Sequence, residues 1–216
     1  GTVGKNRQQK YLMNLLEDDS IPLIAISADA GTGKSYLSTI MALHKVLEKR
    51  SFKKIVYVKP LEAMGGKDIG FLPENKEAKL LGGYAGTIEN ILENIFAERE
   101  MPYKKQYAMD LIEQGVLQVE APTFMRGMSY KDSILIIDEA SNLSKADIKN
   151  LVSRIGENSR IFLLGDTEQI DNRVLSKWDN GLSHVIDKMK GQKLFATVKL
   201  DRSIRSNLSQ LSVDLL

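Results

Sequence analysis

The chain has 216 residues, 43% hydrophobic and 27% charged, a balance that suits one folded domain and argues against extensive disorder. Its 30 basic and 28 acidic side chains leave a net charge of +2, too small for bulk electrostatics to mark a nucleic-acid binder, so any basic surface must be local. Cysteine is absent, which removes disulfides and thiolate metal sites, and the two histidines, His44 and His184, stand too far apart in the sequence for a zinc motif.

No segment approaches the roughly 20 apolar residues that cross a bilayer, and Gly1 to Lys10 is polar and basic without a signal-peptide core. A cytoplasmic protein with no membrane partner is expected. Along the chain, short runs of Ile, Val and Leu predict strands over Leu23 to Ser27, Lys54 to Val58, Val116 to Glu120, Ile134 to Asp138, Arg160 to Leu164 and Leu194 to Leu200. Helical periodicity covers Lys34 to Lys49, Asn75 to Phe96, Tyr103 to Gln114, Ser144 to Ser153, Gly181 to Met189 and Asn207 to Leu216. Gly82, Gly83 and Gly86 predict an interruption in the second of these. Buried strands alternating with helices define an α/β fold with a doubly wound, mainly parallel sheet, and no linker divides residues 1–216 into further domains. Lys59 to Asn75 holds Pro60, Gly65, Gly66, Gly70 and Pro73, which predicts a long loop, a type that is usually functional.

The segment Ala28-Asp29-Ala30-Gly31-Thr32-Gly33-Lys34-Ser35 follows the first strand and opens a helix, the context in which a Walker A match is credible. Gly31 and Gly33 let successive amides turn toward phosphate oxygens at the positive end of the helix dipole. Lys34 supplies charge for the β and γ phosphates of ATP, Ser35 a hydroxyl for Mg²⁺, and Tyr36 continues the nucleotide-binding segment. Ala28 stands where the pattern asks for glycine, so the loop entry needs a backbone angle that alanine tolerates.

Ser133 to Ser141 is an aliphatic run ending in two adjacent carboxylates, the Walker B pattern. Asp138 is the magnesium acid, and Glu139 is suited to orient or deprotonate the attacking water, which favours hydrolysis over phosphate transfer to another acceptor, the kinase alternative. After the fifth strand, Gln169 can hydrogen-bond a γ-phosphate or water, whereas Asp166 reads equally as a turn cap. Arg202 and Arg205, near the last strand, can reach a phosphate or form a solvated turn. No NKxD motif supports GTP specificity.

Asn6 to Gln9, the AGTGKS loop, Val58 to Pro60, Gly70 to Pro73, Met125 to Gly127, IIDEAS and GDTEQID together resemble the PhoH-like family of P-loop ATPases, itself similar to the first RecA-like domain of superfamily-one helicases. The resemblance implies that Gln9 reads adenine, that Gln169 senses the γ-phosphate and that Arg205, with Arg202 as second candidate, completes the phosphoryl-transfer site. It also implies nucleic-acid contacts at Lys59, Pro60 and Arg126 and coupling of hydrolysis to RNA or single-stranded DNA; some members of the family carry a PIN nuclease domain, but its separated cluster of acids is not found in residues 1–216, so no PIN nuclease domain is expected. Helicases close the site with an arginine from a second domain; one domain here implies a homo-oligomer, a hexameric ring in which a neighbour supplies it. A nucleotide-controlled assembly module with slow turnover is the alternative.

Overall fold

A computed structural model describes residues 4–60, 86, 88, 90–97, 104–125, 127–172 and 174–202. All six expected strands are present as β1 (Leu23–Ala28), β2 (Lys54–Val58), β3 (Leu117–Glu120), β4 (Ser133–Ile137), β5 (Arg160–Gly165) and β6 (Phe195–Leu200). Every pairing is parallel, in the order β3-β2-β4-β5-β1-β6. Ends differ from expectation by about a residue because the ladder outlasts the regular strand: the Asp138 N–H still donates to the Val58 carbonyl at 2.8 Å, and that of Ile55 to Val116 at 2.8 Å.

Parallel pairing explains the unbroken aliphatic runs of β1, β2, β4 and β5, which are covered on both faces. Ile24, Ile26, Ile55, Tyr57, Ile134, Ile136, Phe162 and Leu164 face one apolar layer, and their neighbours Ala25, Val56, Val58, Leu135, Ile137, Ile161 and Leu163 face the other. The first layer is closed by α1 (Arg7–Glu17), α2 (Lys34–Leu43), α3 (Lys104–Glu113) and a helical stretch over 90–97; the second by α4 (Lys145–Val152) and α5 (Gly181–Met189). Gly86 is helical, whereas Gly82, Gly83, residues 61–75 of the expected loop and the expected helix Asn207 to Leu216 lie outside the described residues.

Two differences from the sequence reading share one cause. The helix α1 adds to the expected elements, and the helix expected over Lys34 to Lys49 passes into a π turn at His44–Glu48. The apolar stripe of α1 buries Leu12 and Leu16, with Met13 and Leu15 packed beside them, a helical pattern that the sequence reading passed over. What fixes it is polar. Asn6 caps its start by accepting the Gln9 N–H at 2.9 Å. At its end, Arg160 donates to the carbonyls of Leu16 (2.5 Å), Leu15 (3.1 Å) and Ile21 (3.1 Å). From the π turn, Lys45 donates to the Glu17 carbonyl at 2.8 Å and to Asp19 at 2.6 Å. Both cations thus sit at the negative end of the helix dipole, where orphan carbonyls need donors. Burial opposes the charge on Arg160 and pulls its pKa down, while Asp19 and Asp18 act in the other direction.

Replacing Arg160 with Ala should remove these helix-end bonds together. Urea denaturation is expected to show a loss of about 3 kcal/mol with an unchanged slope; a loss within the error of the extrapolation would mean that α1 is held without Arg160.

Candidate nucleotide site

The strand order sets the site. Strand β5 lies between β1 and β4, so the loops leaving the three carboxyl ends form one shelf: the glycine loop, the turn holding both acids, and the segment with Gln169. Ala28 is the last residue of β1, paired with Leu200, and is absent from the positive-φ residues, so the alanine costs nothing there. Gly31 and Gly33 adopt φ of 76° and 87°, which side-chain-bearing residues rarely adopt, and Gly33 is the N-cap of α2. The Asp29 N–H donates to Leu200 O at 3.1 Å, and the Thr32 hydroxyl donates to Asp29 O at 2.9 Å, closing the loop on itself. Lys34 reaches back over the loop to the Ala28 carbonyl at 3.2 Å.

The acids converge with this loop. Ser35 Oγ lies 3.4 and 3.3 Å from the two carboxylate oxygens of Asp138. The same carboxylate accepts the Glu139 N–H at 3.0 Å and the phenol of Tyr57, which is buried in β2. Burial foremost, then the adjacent Asp138 charge, push the Tyr57 phenol well above its ordinary pKa, so it stays a donor. Glu139 takes a left-handed conformation (φ 53°, ψ 38°), costing roughly 1 kcal/mol for a residue of its kind, and turns the chain sharply at the end of the strand. Its carboxylate pairs with Lys59, Nζ to Oε1 2.7 Å. Gly165 makes the shelf tight: a Cβ there would stand 2.9 Å from the Ser141 amide nitrogen and 2.7 Å from Leu182 Cδ2.

A magnesium ion fits this donor set. The serine hydroxyl and aspartate carboxylate are hard oxygen ligands already brought together, and among the described residues no group of three His, Cys, Asp or Glu side chains competes as an all-protein metal cage. Among the described residues, no helix is long and apolar enough to cross a membrane.

The remaining expected residues behave differently. Gln9 is buried, 2% exposed, with both ends of its amide in use: Nε2 donates to Thr32 O at 2.8 Å, and Oε1 accepts the Lys5 N–H at 2.7 Å. It braces the phosphate loop. Gln169 is exposed, in a turn where Asp166 accepts the Glu168 N–H at 2.9 Å, the cap reading of that aspartate. Arg202 is exposed just past β6. Arg126 and Arg205 lie outside the described residues.

Sequence reasoning overlooked Tyr57 and the Lys59–Glu139 pair. A tyrosine in the middle of an aliphatic strand was the available signal, because a buried phenol must find a partner. The ion pair had none, since its members are 80 residues apart and meet only through the adjacency of β2 and β4.

Sheet order, glycine loop and paired acids define a P-loop NTPase fold of the α/β class. The family model described as PhoH-like protein matches residues 2–216, and the chain belongs to that family. Protein PhoH2 of Bacillus subtilis is 42% identical over 218 residues, covering 100% of this chain and 48% of the relative. Protein PhoH2 of Mycolicibacterium smegmatis is 36% identical over 216 residues, covering 100% and 47%, and Protein PhoH of Escherichia coli K12 is 26% identical over 212 residues, covering 96% and 56%. The chain therefore spans about half the length of the curated relatives it matches. Among solved structures, Pif1 helicase from Candida albicans aligns over 99% of this chain and 43% of its own, with 18% identity and a TM-score of 0.46.

Replacing Gln9 with Ala tests its bracing role without any nucleotide. The variant is expected to lose about 1 to 2 kcal/mol in urea denaturation of the ligand-free protein; a side chain reserved for reading adenine would leave that stability unchanged.

Proposed function

We propose that this chain hydrolyses ATP with Mg²⁺, and that hydrolysis is coupled to binding or remodelling of RNA or single-stranded DNA. The observation that carries the reading is the meeting of Ser35 with Asp138 at 3.3 Å, beside Lys34 and directly before Glu139. Amides of residues 29–35 and the Lys34 ammonium hold the phosphates, and Ser35 and Asp138 hold the ion. Bound magnesium supplies charge neutralisation at the phosphate oxygens. Glu139 accepts a proton from water as its oxygen bonds to the γ-phosphorus and the bond to the departing ADP breaks, giving ADP and phosphate. Gln169 orients that water or the γ-phosphate.

The strand-coupling half of the reading rests on family membership together with Lys59, which links the segment expected to meet nucleic acid directly to the proposed base. Lys59, Pro60 and Arg126 are its contact residues. A homo-oligomer, in which a neighbouring copy contributes Arg205 or Arg202, supplies a further positive charge beside that of Lys34 at the transferring phosphate. A cytoplasmic location accompanies this reading.

Replacing Glu139 with Gln should lower ATP turnover on the order of 100-fold or more while fluorescent-nucleotide binding persists, and light scattering with ATP should then show the assembled form. Undiminished hydrolysis would remove the base assignment, and a lasting monomer would remove the shared site. Replacing Tyr57 with Phe deprives Asp138 of one of its donors, so the Mg²⁺ concentration for half-maximal turnover should rise roughly ten-fold; an unchanged magnesium titration would make the phenol a packing group.

A further inference from the structure

On the other half of the same shelf, beyond the carboxyl ends of β2, β3 and β4, lies a cavity of about 220 Å³. Pro60, Pro122 and Met125 give it apolar walls; Asn142, Asp147, Asn150 and Arg154 give it polar ones. Neither Arg154 nor Asn150 belongs to the phosphate site, yet the Nε of Arg154 is buried and has no hydrogen-bond partner among the described residues. A guanidinium donates and never accepts, so this nitrogen is open to an acceptor that enters the cavity.

The chemistry of the walls selects the kind of group. Proline rings and a methionine side chain suit a flat apolar face, and two amides, a carboxylate and a guanidinium suit an edge that carries amino groups, carbonyl oxygens and ring nitrogens. A nucleobase has both. The volume lies below the roughly 300 to 1,000 Å³ typical of pockets for whole small molecules, which favours a single base projecting from a strand over a free nucleotide.

The cavity is also joined to the chemistry on two sides. Pro60 directly follows Lys59, whose ammonium holds Glu139 at 2.7 Å. Asn142 accepts the backbone N–H groups of Asp171 (2.9 Å) and Asn172 (3.3 Å) through its side-chain oxygen, fixing the far end of the segment that carries Gln169. Whatever fills the cavity touches Pro60, the neighbour of the residue that holds the proposed base, and Asn142, which holds the segment of the proposed sensor.

Resting on the strand-coupled reading above, we infer that this cavity is the subsite for one base of a bound single strand, with Arg154 as its hydrogen-bond donor, and that its filling is transmitted through Pro60 and Lys59 to Glu139. The phosphate backbone of the strand stays outside the cavity, so recognition here is of a base.

Two variants test this. Arg154→Ala removes the donor but keeps the backbone bonds of the residue, to which Tyr130 donates at 3.0 Å and from which Leu151 accepts at 3.1 Å. Thr123→Phe fills the cavity from the opposite wall and serves if the first variant folds poorly. Fluorescence anisotropy follows single-stranded RNA and DNA of roughly 12 nucleotides, each as a base-bearing and as an abasic strand, while ATP turnover is read with and without them. The wild type should bind base-bearing strands about ten-fold more tightly than abasic ones, and either variant should erase that difference and the stimulation of turnover. Equal loss for abasic and base-bearing strands would make Arg154 a phosphate contact and overturn the base subsite. A wild type that responds to strands, with variants that respond equally, overturns the cavity assignment alone. A wild type indifferent to every strand overturns the coupling reading and this subsite with it. A change in assembled mass with strand affinity intact would give the cavity to a side chain of a second copy, which also overturns the proposal.

Discussion

Burial of a parallel sheet on both faces leaves its polar chemistry only one kind of outlet. Strands β1, β4 and β5 carry aliphatic side chains to both helical layers, so groups that need water, ions or phosphate gather where the strands stop. The order of those strands then decides which groups meet. Because β5 separates β1 from β4, the glycine loop and the paired acids face each other across its end, close enough for Ser35 to reach Asp138. A bare glycine at position 165 is the local condition for that closeness, since any side chain would press on the Ser141 amide.

The buried carboxylate of Asp138 is the hub of the shelf. It accepts from Ser35 of α2, from Tyr57 of β2 and from the following amide, and these bonds hold its orientation independently of any ligand. Glu139 is handled differently. Its left-handed backbone turns it away from the strand axis and toward Lys59, so adjacent acids in the sequence have separate environments: one fixed by neutral donors, the other by a cation. Two neighbouring carboxylates thereby avoid competing for the same partners, which suits one to an ion and the other to a proton.

The helix α1 shows a second use of polar anchoring. Its end is tied to the start of β5 and to the π turn by Arg160 and Lys45, and its beginning leans on the phosphate loop through Gln9. The helix is a strut between the two ends of the central strands, from the loop after β1 to the start of β5. Any displacement of the phosphate loop is felt along it, and the Gln8–Asp201 contact at 2.7 Å ties it also to the segment that leads toward Arg202.

The fold was legible in the sequence because its evidence is local. Runs such as Ile134 to Ile137 are long enough to require two covered faces, and the AGTGKS loop needs positive φ at particular glycines whatever surrounds it. Lys34, Ser35, Asp138 and Glu139 are placed by local pattern as well, the first two opening α2 after the glycine loop and the last two following β4 directly. What tertiary structure alone decided were the partnerships formed across strand order: Tyr57 on Asp138, Lys59 on Glu139, Gln9 committed to Thr32, and the Arg154 cavity between elements that are distant in the chain. The physical reason is that periodicity records which face a residue turns inward, while the neighbour it meets there depends on the order in which the strands assemble.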